Sequence, residues 1–461
     1  MTIVKKTWII SIITLTVFVY LQPSMVSSLE QDSLELSVEN YLKNMLEYVK
    51  SNIDKDGVVL RYGERHIIRA TARLGLLAGY IHLGLGDSES LSIFNEIARA
   101  LYLRLNSGEI GLEEISEALL THQALLEFAV LHYGLTGSEE SREIMMRSCE
   151  SLMEEFGWTP TTSCSTYLLY SAHVSFMAGG RPEKQDIEIA LKEISEKYVE
   201  FINYTSRHGG NLAVGLNILS IAIKVAQSSK TQLPLEIPAM WEVHLNYSLK
   251  YVRDSGEELD YENYELFLDS FLSALETGYA TPLREDVLRE SEKITVEIME
   301  DWMSGGRLIL LEKDSFNYLL YDPSLDFKQL IEIYSKNPRI RVYDLNLPIL
   351  LQRLSKIGEI EKIDEFREGS TLAVKIVSSS QPYFKLARDE ISPHQEIIDR
   401  IISTRFLSTW YIIEKAVMRP PEDIELAYTG PSYYTLISSS TLLIILLILY
   451  RLGILMKVER G

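Results

Sequence analysis

Cysteine is nearly absent from this 461-residue chain; the two present are Cys149 and Cys164. That excludes a disulfide-stapled small scaffold, and neither residue has a second Cys or a His at metal-ligand spacing. His-Glu-x-x-His, Gly-x-Ser-x-Gly, Gly-x-x-x-x-Gly-Lys and Cys-x-x-Cys are all missing. Their absence excludes the commonest zinc proteases, serine hydrolases and phosphate-loop NTPases. Carboxylate-based enzymes escape this test, because they have no short signature. No metal and no cofactor is expected.

Positive charge is also scarce. Lys and Arg number 45 against 65 Asp and Glu, for a formal charge of −20. Setting aside Lys5 and Lys6 at the start and the net +2 after Tyr450 leaves −24 on the body. So acidic a surface repels nucleic acid, so no nucleic-acid partner is expected.

Long apolar runs lie only near the two ends. Lys5 and Lys6 precede an uncharged run from Trp8 to Leu21, and Val26-Ser27-Ser28 supplies small residues. This reads as a signal peptide over 1–28, with an uncleaved anchor helix as the alternative. Tyr433 to Tyr450 is a second uncharged run, followed by Arg451, Lys457 and Arg460. Such a run can span a bilayer, and basic residues stay on the cytoplasmic side. The expectation is a single-pass cell-membrane protein: transmembrane helix 433–456, cytoplasmic tail 457–461, and the bulk of the chain extracytoplasmic. In an exported chain Cys149 and Cys164 are a disulfide candidate, closing a loop for about 3 kcal/mol in the chain-entropy picture. Asn203-Tyr204-Thr205 and Asn246-Tyr247-Ser248 are N-glycosylation sequons, making Asn203 and Asn246 candidate acceptors.

What the body does contain is helical periodicity, and it alternates in kind. Amphipathic stretches (37–53, 88–105, 138–157, 182–202, 237–252) take turns with much more apolar ones (66–86, 113–134, 165–180, 211–227, 262–278). A helix with one apolar face belongs outside, whereas one apolar nearly all round is buried on several sides. "HLGLGDSE" at 82–89 returns as "HYGLTGSE" at 132–139, with five of eight positions identical. Breaks near Gly84, Gly134, Gly180, Ser228 and Gly278 recur every 46 to 50 residues, the mark of a repeated helical hairpin. Gly84 and Gly134 are expected as helix stops, Ser88 and Ser138 as helix starts. A β-hairpin is expected within 306–322 around Lys313-Asp314, and a sixth inner helix at 347–358. Residues 361–418 read as a small β element and a long helix, and 419–432 as a linker.

Five or six such hairpins, over roughly 35–360, resemble the α/α toroid shared by six-hairpin glycosidases, polysaccharide lyases and terpenoid cyclases. An open helical solenoid is the alternative. No signature motif of those families is matched, so no catalytic residue is carried over. The resemblance places a mouth at the loops that precede the inner helices.

Two of those loops carry candidate chemistry. Arg61, Arg65, Arg69 and Arg73, with His66, form a basic stripe in an acidic body, fit for a carboxylated ligand or for internal pairing. Glu257, Glu258 and Asp260 are weak catalytic candidates, since glycoside hydrolysis uses paired carboxylates; Tyr261 and Tyr264 beside them could stack on a sugar. Trp158, Arg207, His208 and Asn211 lie between, as further ligand-binding candidates. Inside the apolar helices, His122, Gln123, Tyr170, His173, Asn217 and Asp269 stand out, because unpaired polar burial is costly. The expected function is a surface protein binding a glycan, peptide or protein partner. A carbohydrate-active enzyme and a structural subunit of a surface layer or filament are the alternatives.

Overall fold

A computed structural model describes residues 36, 38–58, 67–107, 115–206, 209–255, 261–279, 281–302, 308–311 and 318–321, with Leu350, Arg353, Leu354 and Ile357. The expected signal peptide, the 361–418 element, the linker, the membrane helix and the tail lie outside them.

The described chain is mainly α-helical. Helix α1 spans residues 38–52. Then come α2 (Ile67–Leu85), α3 (Ser88–Asn106), α4 (Ile115–Thr136), α5 (Glu139–Phe156), α6 (Cys164–Met177), α7 (Lys184–Glu196), α8 (Tyr198–Thr205) and α9 (Gly209–Ser229). They continue with α10 (Glu236–Ser255), α11 (Tyr261–Glu276) and α12 (Arg284–Trp302). Strands β1 (Leu308–Leu311) and β2 (Tyr318–Tyr321) pair antiparallel, Leu311 opposite Tyr318. Leu350, Arg353, Leu354 and Ile357 are helical.

The two kinds of helix form two layers. Apolar α2, α4, α6, α9 and α11 pack side by side in chain order, each also on the amphipathic helix that follows it. One continuous core joins them, from Val38 in α1 to Leu354. Helix α9 is long and apolar enough to cross a membrane, but 61% of its apolar window is buried inside the protein. Phe94 of α3 meets Phe128 of α4 edge to face, with ring centroids 5.4 Å apart.

Three joints sit two or three residues later than the sequence suggests, the third joint one residue earlier, and the last at Gly278 as expected. Gly84 and Gly134 lie inside α2 and α4, and neither stops a helix. At the five joints the residues with positive φ are Gly86 (φ 66°), Gly137 (φ 68°), Gly179 (φ 75°), Lys230 (φ 55°) and Gly278 (φ 61°). Gly86 and Gly137 donate N–H to the carbonyls of His82 and Tyr133, closing the last helical turn. Gly134 is small for another reason: a Cβ there would lie 2.6 Å from the carbonyl oxygen of Ser171. It lets α4 approach α6. The starts fall where expected: Ser88 opens α3 and Ser138 stands just before α5. Asp87, rather than Ser88, caps α3, accepting the Ser90 N–H at 2.8 Å. Ser138 occupies the cap position of α5 but makes no side-chain cap bond.

The single charged helix expected over 182–202 is two helices, broken at Lys197 (φ −93°, ψ 20°). Cys149 and Cys164 form a disulfide, Cα atoms 5.4 Å apart, tying α5 to the first residue of α6.

The repeated string is a clasp. His132, 1% exposed, is hydrogen-bonded through Nε2 to Asn95 of α3 at 3.0 Å and through Nδ1 to Ser141 of α5 at 2.7 Å. Asn95 Oδ1 only accepts, so Nε2 carries the proton and Nδ1 receives the Ser141 hydroxyl. Burial holds this imidazole neutral, its pKa lowered to about 4. Its neighbour Tyr133 donates to Asp186 of α7 at 2.7 Å, and Arg142 grips the same carboxylate at 2.9 Å. His82 repeats the clasp in simpler form, bonded to Ser90 at 3.1 Å.

Candidate functional site

Where burial is described, and short of its last turns, each inner helix is mostly buried except along one stripe at three- and four-residue spacing. On α2 the stripe holds Arg69 and Arg73; on α4, Gln123, Glu127 and Val130; on α6, Tyr167, Tyr170 and His173. On α9 it holds Asn211, Val214, Asn217 and Lys224, and on α11 Leu266, Asp269 and Glu276. Arg353 extends it. Helical periodicity explains the spacing; five adjacent helices explain why the stripes add up to one surface.

The charges on this surface are saturated. Arg73 pairs with Glu127 across α2 and α4. Arg353 binds Asp269, reaches Glu276 at 2.6 Å through Nε and 3.0 Å through Nη2, and donates to Ser273 at 3.1 Å. Lys224 reaches the same Glu276 at 3.0 Å. Asn217 donates to Asp269 at 2.9 Å. Burial opposes the charge on Glu276, but Arg353 and Lys224 outweigh it and hold the carboxyl well below its ordinary range. Arg353, Glu276 and Asp269 nevertheless keep 17%, 30% and 36% of their side-chain surface. They line an accessible surface rather than sit in solid core.

Helix α6 faces this cluster. Burial first, then the charges of Lys224 and Arg353, lower the His173 pKa to about 3, with Glu276 opposing. Burial raises Tyr170 above its ordinary value, helped by Tyr167 and Asp269. Residues of α6 thus sense charges on α11 and Arg353 as well as on α9. Tyr167 and Tyr170 have ring centroids 6.5 Å apart. Tyr167 donates to the Thr161 carbonyl.

The remaining sequence candidates have these positions. Trp158 packs on the core and donates its indole N–H to Glu193 at 3.0 Å; Ser163 and Ser165 bond the same carboxylate. Asn211 reaches the Tyr204 carbonyl at 3.5 Å. Arg69 and His122 are half-buried and already have partners. Asn203 and Asn246 are exposed on α8 and α10, but their sequon hydroxyls, Thr205 and Ser248, are 2% and 0% exposed. Tyr261 and Tyr264 lie in the first turns of α11. Arg61, Arg65, His66, Arg207, His208, Glu257, Glu258 and Asp260 lie outside the described residues.

Sequence reasoning singled out Tyr170, His173, Asn217 and Asp269, and the structure brings those four together. It missed Tyr167, Lys224, Glu276 and Arg353. The signal was there for two of them: Lys224 and Glu276 each follow a chosen residue, Asn217 and Asp269, by seven positions on the same helix face. Among the described residues no cluster of His, Cys, Asp and Glu has the makings of a metal site. No protein-family model matches this chain, and comparisons with curated proteins and with solved structures likewise found no match.

Proposed function

We propose that this chain is a membrane-anchored, extracytoplasmic helical-repeat protein that binds a ligand on the face formed by its inner helices. The observation that carries the reading is the accessible polar and aromatic stripe continuing across five successive inner helices. A core helix of a purely structural protein has no need of Arg, Lys, Asp, Glu and Tyr on its innermost side, where each polar group must be paired or hydrated. The hairpins are read as an α/α toroid, supported by the reach of Arg353 and Glu276 toward α6. The anchor is Tyr433–Met456, with the basic residues after it on the cytoplasmic side.

A hydrolase would need a carboxylic acid able to give a proton. Asp269 and Glu276 are both held by Arg353, and Glu276 is kept charged, so neither fits that role. The enzymatic alternative therefore rests on Glu257, Glu258 and Asp260.

Protease shaving of cells carrying the full chain, with tags at both ends of the body, tests the topology. The body tags are expected to be cut on intact cells and a tag after Gly461 to be protected. A protected body would overturn the assignment. Ligand binding is tested with Arg353→Ala, which is expected to weaken capture of the bound ligand; a surface control, Lys192→Ala, should not.

A further inference from the structure

Within the inner face, Tyr170 and His173 differ from every charged neighbour. The Tyr170 hydroxyl and both His173 ring nitrogens make no hydrogen bond among the described residues, and neither residue hides a buried orphan atom. Their polar atoms therefore keep some access to the inner face. One turn of α6 separates them. On α9, which packs on α6, Asn217 leaves a third need unmet. Its amide N–H binds Asp269, so its Oδ1 points the other way, buried and without a donor. The amide cannot be reversed, because a carboxylate has no hydrogen to give.

We infer that Tyr170, His173 and Asn217 form a subsite for an uncharged sugar, and that this subsite sets the ligand class of the inner face. This rests on the inner-face reading above. Charge argues against an ionic ligand. Each described cation on the face is engaged: Arg73 with Glu127, Lys224 with Glu276, Arg353 with Asp269 and Glu276, and Arg69 with partners of its own. An incoming anion would have to break a pair already made, leaving a half-buried charge uncompensated. Of the basic stripe, Arg73 takes the internal pairing that the sequence also offered, while Arg61, Arg65 and His66 lie outside the described residues.

Hydrogen-bond chemistry selects further. Asn217 Oδ1 demands a donor. Neutral imidazole offers one donor and one acceptor, and a phenol offers both. A row of groups that each give and take is matched by vicinal hydroxyls, which also give and take. Backbone amides keep donor and acceptor on separate atoms that point in opposite directions. Tyr167 and Tyr170 add aromatic surface for the apolar face of a pyranose ring. Buried sites built for hydroxyls reject ligands that lack them, since the protein's groups are then left unpaired.

The test uses the full chain in detergent and isothermal titration. The probes are neutral hexasaccharides (chito-, malto- and cello-hexaose), hexagalacturonate, and an uncharged Gly/Ser/Asn decapeptide. Binding of at least one neutral hexasaccharide is expected, weakened roughly tenfold or more by Tyr170→Phe and by His173→Ala, as loss of a buried hydrogen bond implies. Unchanged thermal midpoints show that the variants are folded; Tyr170→Phe keeps the ring and guards against collapse of the site. Failure of every neutral saccharide, binding of hexagalacturonate alone, or equal binding by both variants overturns the sugar assignment. Decapeptide binding lost in both variants would sink the sugar and leave the inner-face reading standing. Decapeptide binding untouched by them and by Arg353→Ala would sink both.

Discussion

His132 and His173 lie on consecutive inner helices, and burial holds both far below the usual imidazole range. They are opposite in what they touch. His132 is 1% exposed and bonds Asn95 and Ser141. His173 is half-buried, and its nitrogens bond nothing among the described residues. A perturbed pKa therefore does not separate scaffold from site in this protein. The bonds that each ring makes tell the two apart. The histidine of the repeated string is a rivet between three helices, while the histidine without a copy lies on the face proposed to bind a ligand.

The largest expected effect breaks the rivet. His132→Ala removes a packed ring and strands Asn95 and Ser141, and should cost roughly 4 kcal/mol by the usual price of core truncation plus lost buried hydrogen bonds. Chemical denaturation of the full chain measures it. A cost below that of an ordinary surface change would mean that the clasp is idle.

Acid reads the same contrast. The folded pKa of His132 is about 4, below the unfolded value near 6.5, so the folded state binds fewer protons. Stability is fully present above pH ~6.5 and falls by about 3 kcal/mol as pH drops toward 4, with no further loss from this group below that. His82 and His244, also lowered, act in the same direction. The slope of stability against pH between 6.5 and 4 should flatten in His132→Gln; an unchanged slope would show that the ring titrates normally.

Two glycines of the same string come next. Gly134→Ala forces a Cβ against the Ser171 carbonyl and should cost about 2 kcal/mol, the scale of overpacking. Gly137→Ala has open space around its Cβ but keeps φ 68°, and should cost about 1 kcal/mol, the strain of a left-handed residue. The reverse order in thermal melts would place the close approach at the turn.

The smallest effect is expected where function is proposed. His173→Gln removes no bond made in the free protein, so stability should move by less than about 0.5 kcal/mol. A loss as large as that of His132→Ala would make His173 a core residue too.

Much of the architecture was legible. Alternating amphipathic and apolar helices reflect where each sits, and burial leaves that mark on every third or fourth residue. The joint after α4 was misplaced because glycine has two uses in the string: Gly134 permits close packing and Gly137 permits a left-handed turn. The break at Lys197 has no glycine or proline to announce it. At the site, Tyr170, His173, Asn217 and Asp269 were visible as polar residues in apolar surroundings. Their partner Arg353 was not, because it meets Glu276 across 77 residues of chain. Trp158 looked like a binding residue because its tie to Glu193, thirty-five residues on, leaves no local trace.

Diethyl pyrocarbonate, which acylates accessible neutral imidazole, tests the contrast most directly. The folded full chain would be treated at pH 7 and its histidines followed by peptide mass spectrometry. His173 should react readily and be protected by a bound ligand, while His132 should react only once the protein unfolds. Equal reaction of the two, or a sealed His173, would contradict the claim that the inner face opens to a ligand while the repeated joint does not.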